Sequence, residues 1–260
     1  MTSLPSRSFQ VGPVPVHVFE DKRDMGAAAA KQAGGIVRQA IAERGRARVI
    51  VGTGNSQDEV IAAFIREEGV DWKAVEAFHM DEYIGLSEDH SASFRRWLRV
   101  RLIDEVHIGQ AYYVFGDADD PDAECQRYGD LLAEAPIDLC FIGFGENGHI
   151  AFNDPHVADF NDPLMVKCVE MDELCRMQQV GEGHFESLET APKKALTLTC
   201  SALMSARDIV GCVPDERKAE AVKNAIEGPL STDCPASVVF THPGATIYLD
   251  THSASLLDSH

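Results

Sequence analysis

Basic residues are scarce in this chain: 23 Lys and Arg face 42 Asp and Glu, leaving a formal net charge of −19. A surface so negative repels polyanions and argues against nucleic acid as a partner, although a small anion held by a local cluster is still allowed. Long apolar runs are also lacking. No stretch approaches the roughly 18–20 residues that a membrane span requires. The opening MTSLPSRSFQVGPVPVHVFED has no apolar core of the kind a secretory signal carries. A cytoplasmic protein with no membrane partner is therefore expected. Paired CxxC motifs are absent, and the seven cysteines (Cys125, Cys140, Cys168, Cys175, Cys200, Cys212, Cys234) are odd in number. That pattern indicates neither a disulfide framework nor a zinc knuckle, and most of these thiols are expected in the core.

What the chain does have is apolar content, 45% over 260 residues, enough for a substantial core. The reading favoured is one α/β domain over residues 1–260. After a Pro-containing opening segment, Met25 to Arg44 shows helical spacing of Ala, Ile and Val, and Ala47 to Val51 follows as a β-rich strand. The alternation continues with a helix near Asp58 to Glu67, a strand in VEAFHMDE, and an amphipathic stretch from His90 to Val106. Next come a strand in YYVF, a helix around Ala123 to Ala133, and a strand from Ile137 to Gly143. It resumes late in the chain with ALTLT, a short helix, DIVGCV, a helix from Glu216 to Glu227 and a last strand near Thr246 to Asp250. This order predicts a doubly wound, mainly parallel sheet with helices on both faces, Rossmann-like in layering. Residues His156 to Pro192 break the pattern, being polar with short apolar runs, and read as a lid.

Candidate chemistry gathers at strand ends. In IDLCFIGFGENGHIAFNDP a buried-strand pattern runs into a Gly-flanked turn carrying Asn147, His149 and Asp154. His149 there is either a structural histidine or a base whose imidazole Asp154 orients. No second His or Cys stands at a ligand-like spacing from it, so a metal is not expected. Asp81 follows the apolar run VEAF and is either a solvated acid or a carboxylate able to act on a carbon acid. Gly52-Thr53-Gly54-Asn55-Ser56 lies between a strand and a helix, so its amides and hydroxyls suit an anion, or it is a plain turn with Ser56 as helix cap. It is neither a P-loop nor GxGxxG. Arg176 and Lys218 read as surface charges or as phosphate clamps.

Taken in order, Gly52-Thr53-Gly54, FHMDEYIGL, DHSASFRRWL, GFGENGHIAFNDP, the ALTLTCSALMSARDI block and the Lys218 helix resemble the glucosamine-6-phosphate deaminase (isomerase) family. That family shares its fold with the 6-phosphogluconolactonases, and the likeness covers most of residues 20–250. The resemblance implies an isomerising hydrolase that converts glucosamine 6-phosphate, or a close amino-sugar phosphate, to fructose 6-phosphate and ammonia, with no organic cofactor and no metal. By the same resemblance, His149 shuttles the ring-opening proton, Asp154 and Asn147 hold the imidazole, and Asp81 moves a proton from carbon-2 to carbon-1. Gly52, Thr53, Gly54, Asn55, Ser56, Arg176 and Lys218 then bind the phosphate. A homo-oligomer is compatible with this reading.

The chain also departs from the family pattern. Several members carry Asp at the position of Asn147 and Glu at that of Asp154. Gly52 and Gln57 replace the usual prolines around the phosphate loop, and the region after Pro155 lacks the basic residues of an allosteric site. Two rival readings stay open. One is a lactonase on the same fold, against which DEY-Ile-Gly and GHIAFNDP stand. The other is a non-catalytic sugar-phosphate sensor, which would need a DNA-binding segment that the short stretch before the first helix does not supply.

Overall fold

The computed structural model describes residues 4–258. Strands β1 (Arg7–Val11) and β2 (Val14–Phe19) open the chain, followed by helix α1 (Lys22–Arg44), β3 (Ala47–Val51), α2 (Asp58–Phe64), β4 (Val75–His79) and β5 (Asp81–Tyr83). Helices α3 (Phe94–Leu98) and α4 (Asp104–Val106) are joined by a π-helical stretch, Arg99–Ile103, and β6 (Gln110–Tyr112), α5 (Pro121–Ala133) and β7 (Leu139–Ile142) come next. The last part holds β8 (Val166–Glu170), α6 (Glu173–Gly181), β9 (Lys194–Leu198), α7 (Cys200–Met204), β10 (Asp208–Val213), α8 (Ala219–Glu227) and β11 (Ala245–Asp250).

Eight strands form the main sheet in the order β1-β2-β11-β10-β7-β3-β4-β6, parallel throughout except for the β1–β2 hairpin. Strands such as ARVIV and LCFI are buried along their whole length, because helices cover both faces and neither side chain set meets water. One face packs Val49, Val51 and Phe141 against Ala29, Val37 and Phe64 of α1 and α2. The other packs Ile50, Cys140 and Ile142 with Tyr128, Leu203 and Val222 of α5, α7 and α8. The doubly wound reading of the sequence therefore holds. Asp21 caps α1 by accepting from the amides of Arg23 and Asp24, and Gly45 ends it in the left-handed conformation.

The chain departs from the sequence reading in four places. The Pro-containing opening is a hairpin that extends the sheet beyond β11. YYVF contributes little to a strand, since β6 ends at Tyr112. VEAFHMDE is not one strand: it breaks at Met80, leaving β4 in the main sheet and sending β5 into a second, three-stranded antiparallel sheet of order β5-β9-β8. The run ALTLT belongs to that small sheet. Finally, residues 156–192 are not loose, for they hold β8 and α6, and their apolar residues Val169, Met171, Cys175, Phe185 and Ala191 pack with Tyr83, Phe94 and Phe152 in a third core. Among the described residues no helix is long and apolar enough to cross a membrane.

Candidate active site

From β3 the chain winds outward to β4, whereas from β7 it winds the other way to β10, so the sheet's direction of winding reverses between β3 and β7. Loops leaving such a point splay apart and open a crevice at the carboxyl ends of the strands. Here that crevice is a cleft into which both loops fold, Gly52 to Ser56 after β3 and Gly143 to His149 after β7. Asp81 and Lys218 complete it from β5 and from the turn before α8. Residues predicted from four separate stretches of sequence thus share one site.

The first loop owes its path to Gly54, whose φ of +95° side chains rarely adopt. A single helical turn over Asn55–Gln57 leads into α2, and the buried Gln57 amide donates to Ser56 Oγ at 3.1 Å and to the Cys212 carbonyl at 3.2 Å. The loop is thereby tied to β10 without the prolines that its relatives were expected to use.

Asp81 stands where the two sheets meet. His79, wholly buried and pushed down to about 3 by desolvation, is neutral. Its Nδ1 is 2.8 Å from the Asp81 carbonyl, and its Nε2 is 2.9 Å from the Val114 amide. Those partners require Nδ1 to carry the proton and Nε2 to accept. The imidazole therefore clamps the backbone at Asp81. Asp81 is 6% exposed, and among the described residues its carboxyl has one hydrogen-bond partner, the Thr53 hydroxyl at a long 3.5 Å. Burial drives its pKa well above the usual carboxylate range, the neighbouring Glu82 charge adds to the rise, and Thr53 opposes it. Glu82 itself turns away to cap α3, accepting from the amides of Phe94 and Arg95 and from Ser93 Oγ.

His149 fits because position 145 is glycine: a Cβ there would sit 2.3 Å from Nε2. Behind the ring, Nδ1 lies 3.1 Å from Asp154 Oδ1, with the N–H angled off the line of the oxygen. The contact couples charge without a well-formed hydrogen bond. Asn147 does not face the cleft. Its Nδ2 donates to Asp154 Oδ1 at 2.9 Å and its Oδ1 accepts the His149 amide at 3.0 Å, while Asp154 Oδ2 takes the Asp172 amide at 2.8 Å. Asp154 is fully buried. Burial alone would raise its pKa, but His149, Asn147 and the Asp172 amide together hold it below the ordinary value, so it is ionised at neutral pH. Strand β9 secures this loop, since Thr197 Oγ1 accepts the Phe152 amide and Asn153 Nδ2 donates to the Leu198 carbonyl. The small sheet thus carries Asp81 on one edge strand and buttresses the His149 loop from its centre. Ala151, on the cleft wall, is held at a φ of +49°.

Lys218 reaches the cleft, 4% exposed, and burial lowers its pKa. Its Nζ is 3.9 Å from Glu182 Oε1. The Glu182 carboxyl, which burial would raise, is held low by His184 and by the Lys218 charge. Arg176 is not brought to the cleft. Its guanidinium donates to the carbonyls of Pro192 (3.1 Å), Ala191 (3.0 Å) and Leu188, and so ties α6 to the segment before β9. Of the segment CRMQQVGEGHF, where Arg176 was the expected contact, Gln178, Gln179 and Glu182 line the cleft. The signal available was the helical spacing that sets Gln178 and Glu182 on one face, where Gln178 Nε2 donates to Glu182 Oε1 at 2.8 Å.

The family described as glucosamine-6-phosphate isomerases/6-phosphogluconolactonase matches residues 20–248. A glucosamine-6-phosphate deaminase of an Exiguobacterium species (strain AT1b) is 40% identical over 190 residues, 73% of each chain. Another deaminase, from Lactobacillus delbrueckii subsp. bulgaricus, is 34% identical over 227 residues, 87% of this chain and 94% of that one. A solved structure of a monomeric glucosamine-6-phosphate deaminase superposes with a TM-score of 0.84 at 29% identity, covering 93% of this chain and 99% of that one. A 6-phosphogluconolactonase from Shewanella baltica superposes with a TM-score of 0.75 over 95% and 99% of the two chains, at 17% identity, a likeness of fold alone.

Proposed function

The chain belongs to the glucosamine-6-phosphate isomerase/6-phosphogluconolactonase family, and on that premise we propose that it deaminates glucosamine 6-phosphate to fructose 6-phosphate and ammonia by aldose-to-ketose isomerisation. The observation that carries this reading is a cleft shared by a buried, high-pKa carboxylate and an imidazole backed by an ionised one. Isomerising deamination needs both: one group moves a proton between two sugar oxygens, the other moves a proton between two carbons.

His149 accepts the proton of the anomeric hydroxyl and returns it to the ring oxygen, opening the pyranose, while the Asp154 charge favours the transient imidazolium. Asp81 then removes the carbon-2 proton. The C–H electron pair becomes the double bond of an enolamine, the carbonyl oxygen gains a proton from solvent water, and the Asp81 carboxylic acid delivers its proton to carbon-1. A carbon-2 iminium results; water adds to it and ammonia leaves. A raised pKa suits Asp81 to this work, because a stronger base narrows the gap to a carbon acid. The phosphate is held by the amides and hydroxyls of Gly52 to Ser56 and by Lys218, whose partner Glu182 it displaces, and this non-reacting end orients the sugar.

The test supplies glucosamine 6-phosphate and, separately, 6-phosphogluconolactone. Ammonia and fructose 6-phosphate should form from the first in equal amounts, with the carbon-2 proton exchanging into solvent. Lactone hydrolysis without ammonia release would overturn the proposal.

A further inference from the structure

Among the described residues one group of metal-ligating side chains converges: a ring nitrogen of His149, a carboxylate oxygen of Asp154 and Sγ of Cys175 all lie within 4.8 Å of one another. All three side chains are buried, Cys175 at 1% exposure on the first turn of α6. A second observation points the same way. His149 Nδ1, the nitrogen turned toward Asp154, is buried and has no aligned hydrogen-bond partner, which is rare for a buried polar atom. Imidazole, carboxylate and thiol together form the donor set of a thiophilic divalent ion. Ligand atoms around tetrahedral zinc lie roughly 3.3–3.8 Å apart, so side-chain shifts of at most about 1 Å bring a spacing within 4.8 Å into that range. The supporting contacts already exist: Asn147 and the Asp172 amide hold the Asp154 carboxylate in place, as the outer partners of a metal site do.

We propose that His149, Asp154 and Cys175 bind a single thiophilic divalent cation, Zn²⁺ being the representative, and that its binding switches the active site off. Coordination replaces the Cys175 S–H bond with a sulfur–metal bond and releases the proton to solvent; nothing is oxidised or reduced. A metallated Nδ1 leaves Nε2 protonated, and that nitrogen then has no lone pair for a sugar hydroxyl proton. The ion reaches the group past the His149 ring, which lines the cleft, so a bound sugar phosphate and the metal compete. The site goes beyond the proposed deaminase reaction, and its binding arm uses no substrate.

The experiment titrates Cd²⁺ into the metal-free protein and follows the ultraviolet thiolate-to-cadmium charge-transfer band. Cys168 is exposed and lies beside Cys125, so all proteins carry Cys168→Ala to remove that competing pair. One equivalent should saturate the band, a chelator should abolish it, and adding Cys175→Ser should remove it. No band in the Cys168→Ala protein, or the same band after Cys175→Ser, would overturn the proposal. X-ray absorption of the zinc-loaded Cys168→Ala protein needs no substitution at position 175. It should show one sulfur beside nitrogen and oxygen donors, and an oxygen-only or two-sulfur shell would refute the site. In the ammonia assay, each protein compared with its own zinc-free rate, Cys175→Ser should raise the half-inhibiting zinc at least about 10-fold, since even loss of an outer-shell partner costs that much. Equal zinc sensitivity would remove the inhibitory role. Failure of glucosamine 6-phosphate as a substrate would leave both spectroscopic outcomes decisive.

Discussion

Replacing Asp81 with Asn should separate catalysis from stability, moving the two in opposite directions. The amide keeps the shape of the carboxyl and can still meet the Thr53 hydroxyl, 3.5 Å away, but it cannot take a proton from carbon. Losing a positioned general base costs about 10²- to 10⁴-fold in turnover, or about 2.7–5.4 kcal/mol of barrier. The Michaelis constant should change little, because Lys218 and the Gly52 to Ser56 loop grip the other end of the sugar phosphate. Stability should rise, since the native carboxylate is 6% exposed and, among the described residues, has one long hydrogen bond to offset its burial. Relief of an under-satisfied buried group is worth roughly 1–3 kcal/mol, and each kcal/mol moves the melting temperature of a chain this size by about 2–4 °C. The sign follows from the direction of the shift. A carboxyl whose folded pKa is raised destabilises the fold increasingly as pH climbs above the unfolded value of about 3.9, and the cost levels off above the folded pKa. The advantage of Asn should thus be small near pH 4 and largest at neutral or alkaline pH. In the parent, the acid limb of kcat/KM should lie well above the ordinary carboxylate range for the same reason. Initial rates of ammonia release, solvent exchange of the carbon-2 proton and melting curves at several pH values check these outcomes together. An Asn variant that turned over within 10-fold of the parent, or that melted lower at pH 8, would refute the assignment of the base and the account of its burial.

Glu182→Gln should lower the Michaelis constant for the sugar phosphate and tighten binding of inorganic phosphate, by up to about 10-fold, because Lys218 loses its internal counter-ion 3.9 Å away. Lys218→Ala should do the reverse and erode the preference for phosphorylated over free sugar; competition binding with phosphate reads both. Arg176→Ala should destabilise the fold by about 1–3 kcal/mol in denaturant titrations, through the carbonyls of Leu188, Ala191 and Pro192 it leaves unpartnered, with no selective loss of phosphate preference. Hydrogen exchange should slow on binding a non-reacting sugar-phosphate analogue mainly in α6 and the turn after Glu182. Slowing spread evenly over residues 156–192 would instead indicate closure of the entire segment.

Periodicity made the main sheet legible because its strands are continuous apolar runs, and a fully buried parallel strand needs nothing else. The hairpin at the start was less visible: RSFQV has no strong apolar run, and β1 is half exposed on an edge. The small sheet was hidden for a different reason. DEY and KALTL are short, and antiparallel pairing between segments more than 100 residues apart leaves no local trace. Met80, where the chain passes from one sheet to the other, reads as an ordinary apolar residue in an unbroken run. The candidate site divides along the same line. Asp81, His149 and Lys218 follow strand ends, and the topology of a parallel sheet gathers strand ends at one edge. For Arg176 the charge and the family resemblance both suggest a phosphate contact, although a guanidinium with five donors serves equally well to tie down carbonyls.

Legibility fails most instructively around His79 and Cys175, since neither residue type announces its role. His79 sits in an apolar run two residues before Asp81, and folding makes it a neutral imidazole bridging the Asp81 carbonyl and the Val114 amide. That bridge fixes where the Asp81 backbone leaves the main sheet, and hence where its carboxyl stands relative to His149. Replacement of His79 by a residue unable to bridge both groups would free the turn without touching substrate. Its effect should therefore fall on kcat, through misplacement of Asp81, and not on phosphate affinity. Cys175 is a buried small side chain by pattern, yet α6 sets its sulfur beside the His149–Asp154 pair. In both cases the chemistry comes from a neighbour distant in sequence, which is information a single sequence does not carry.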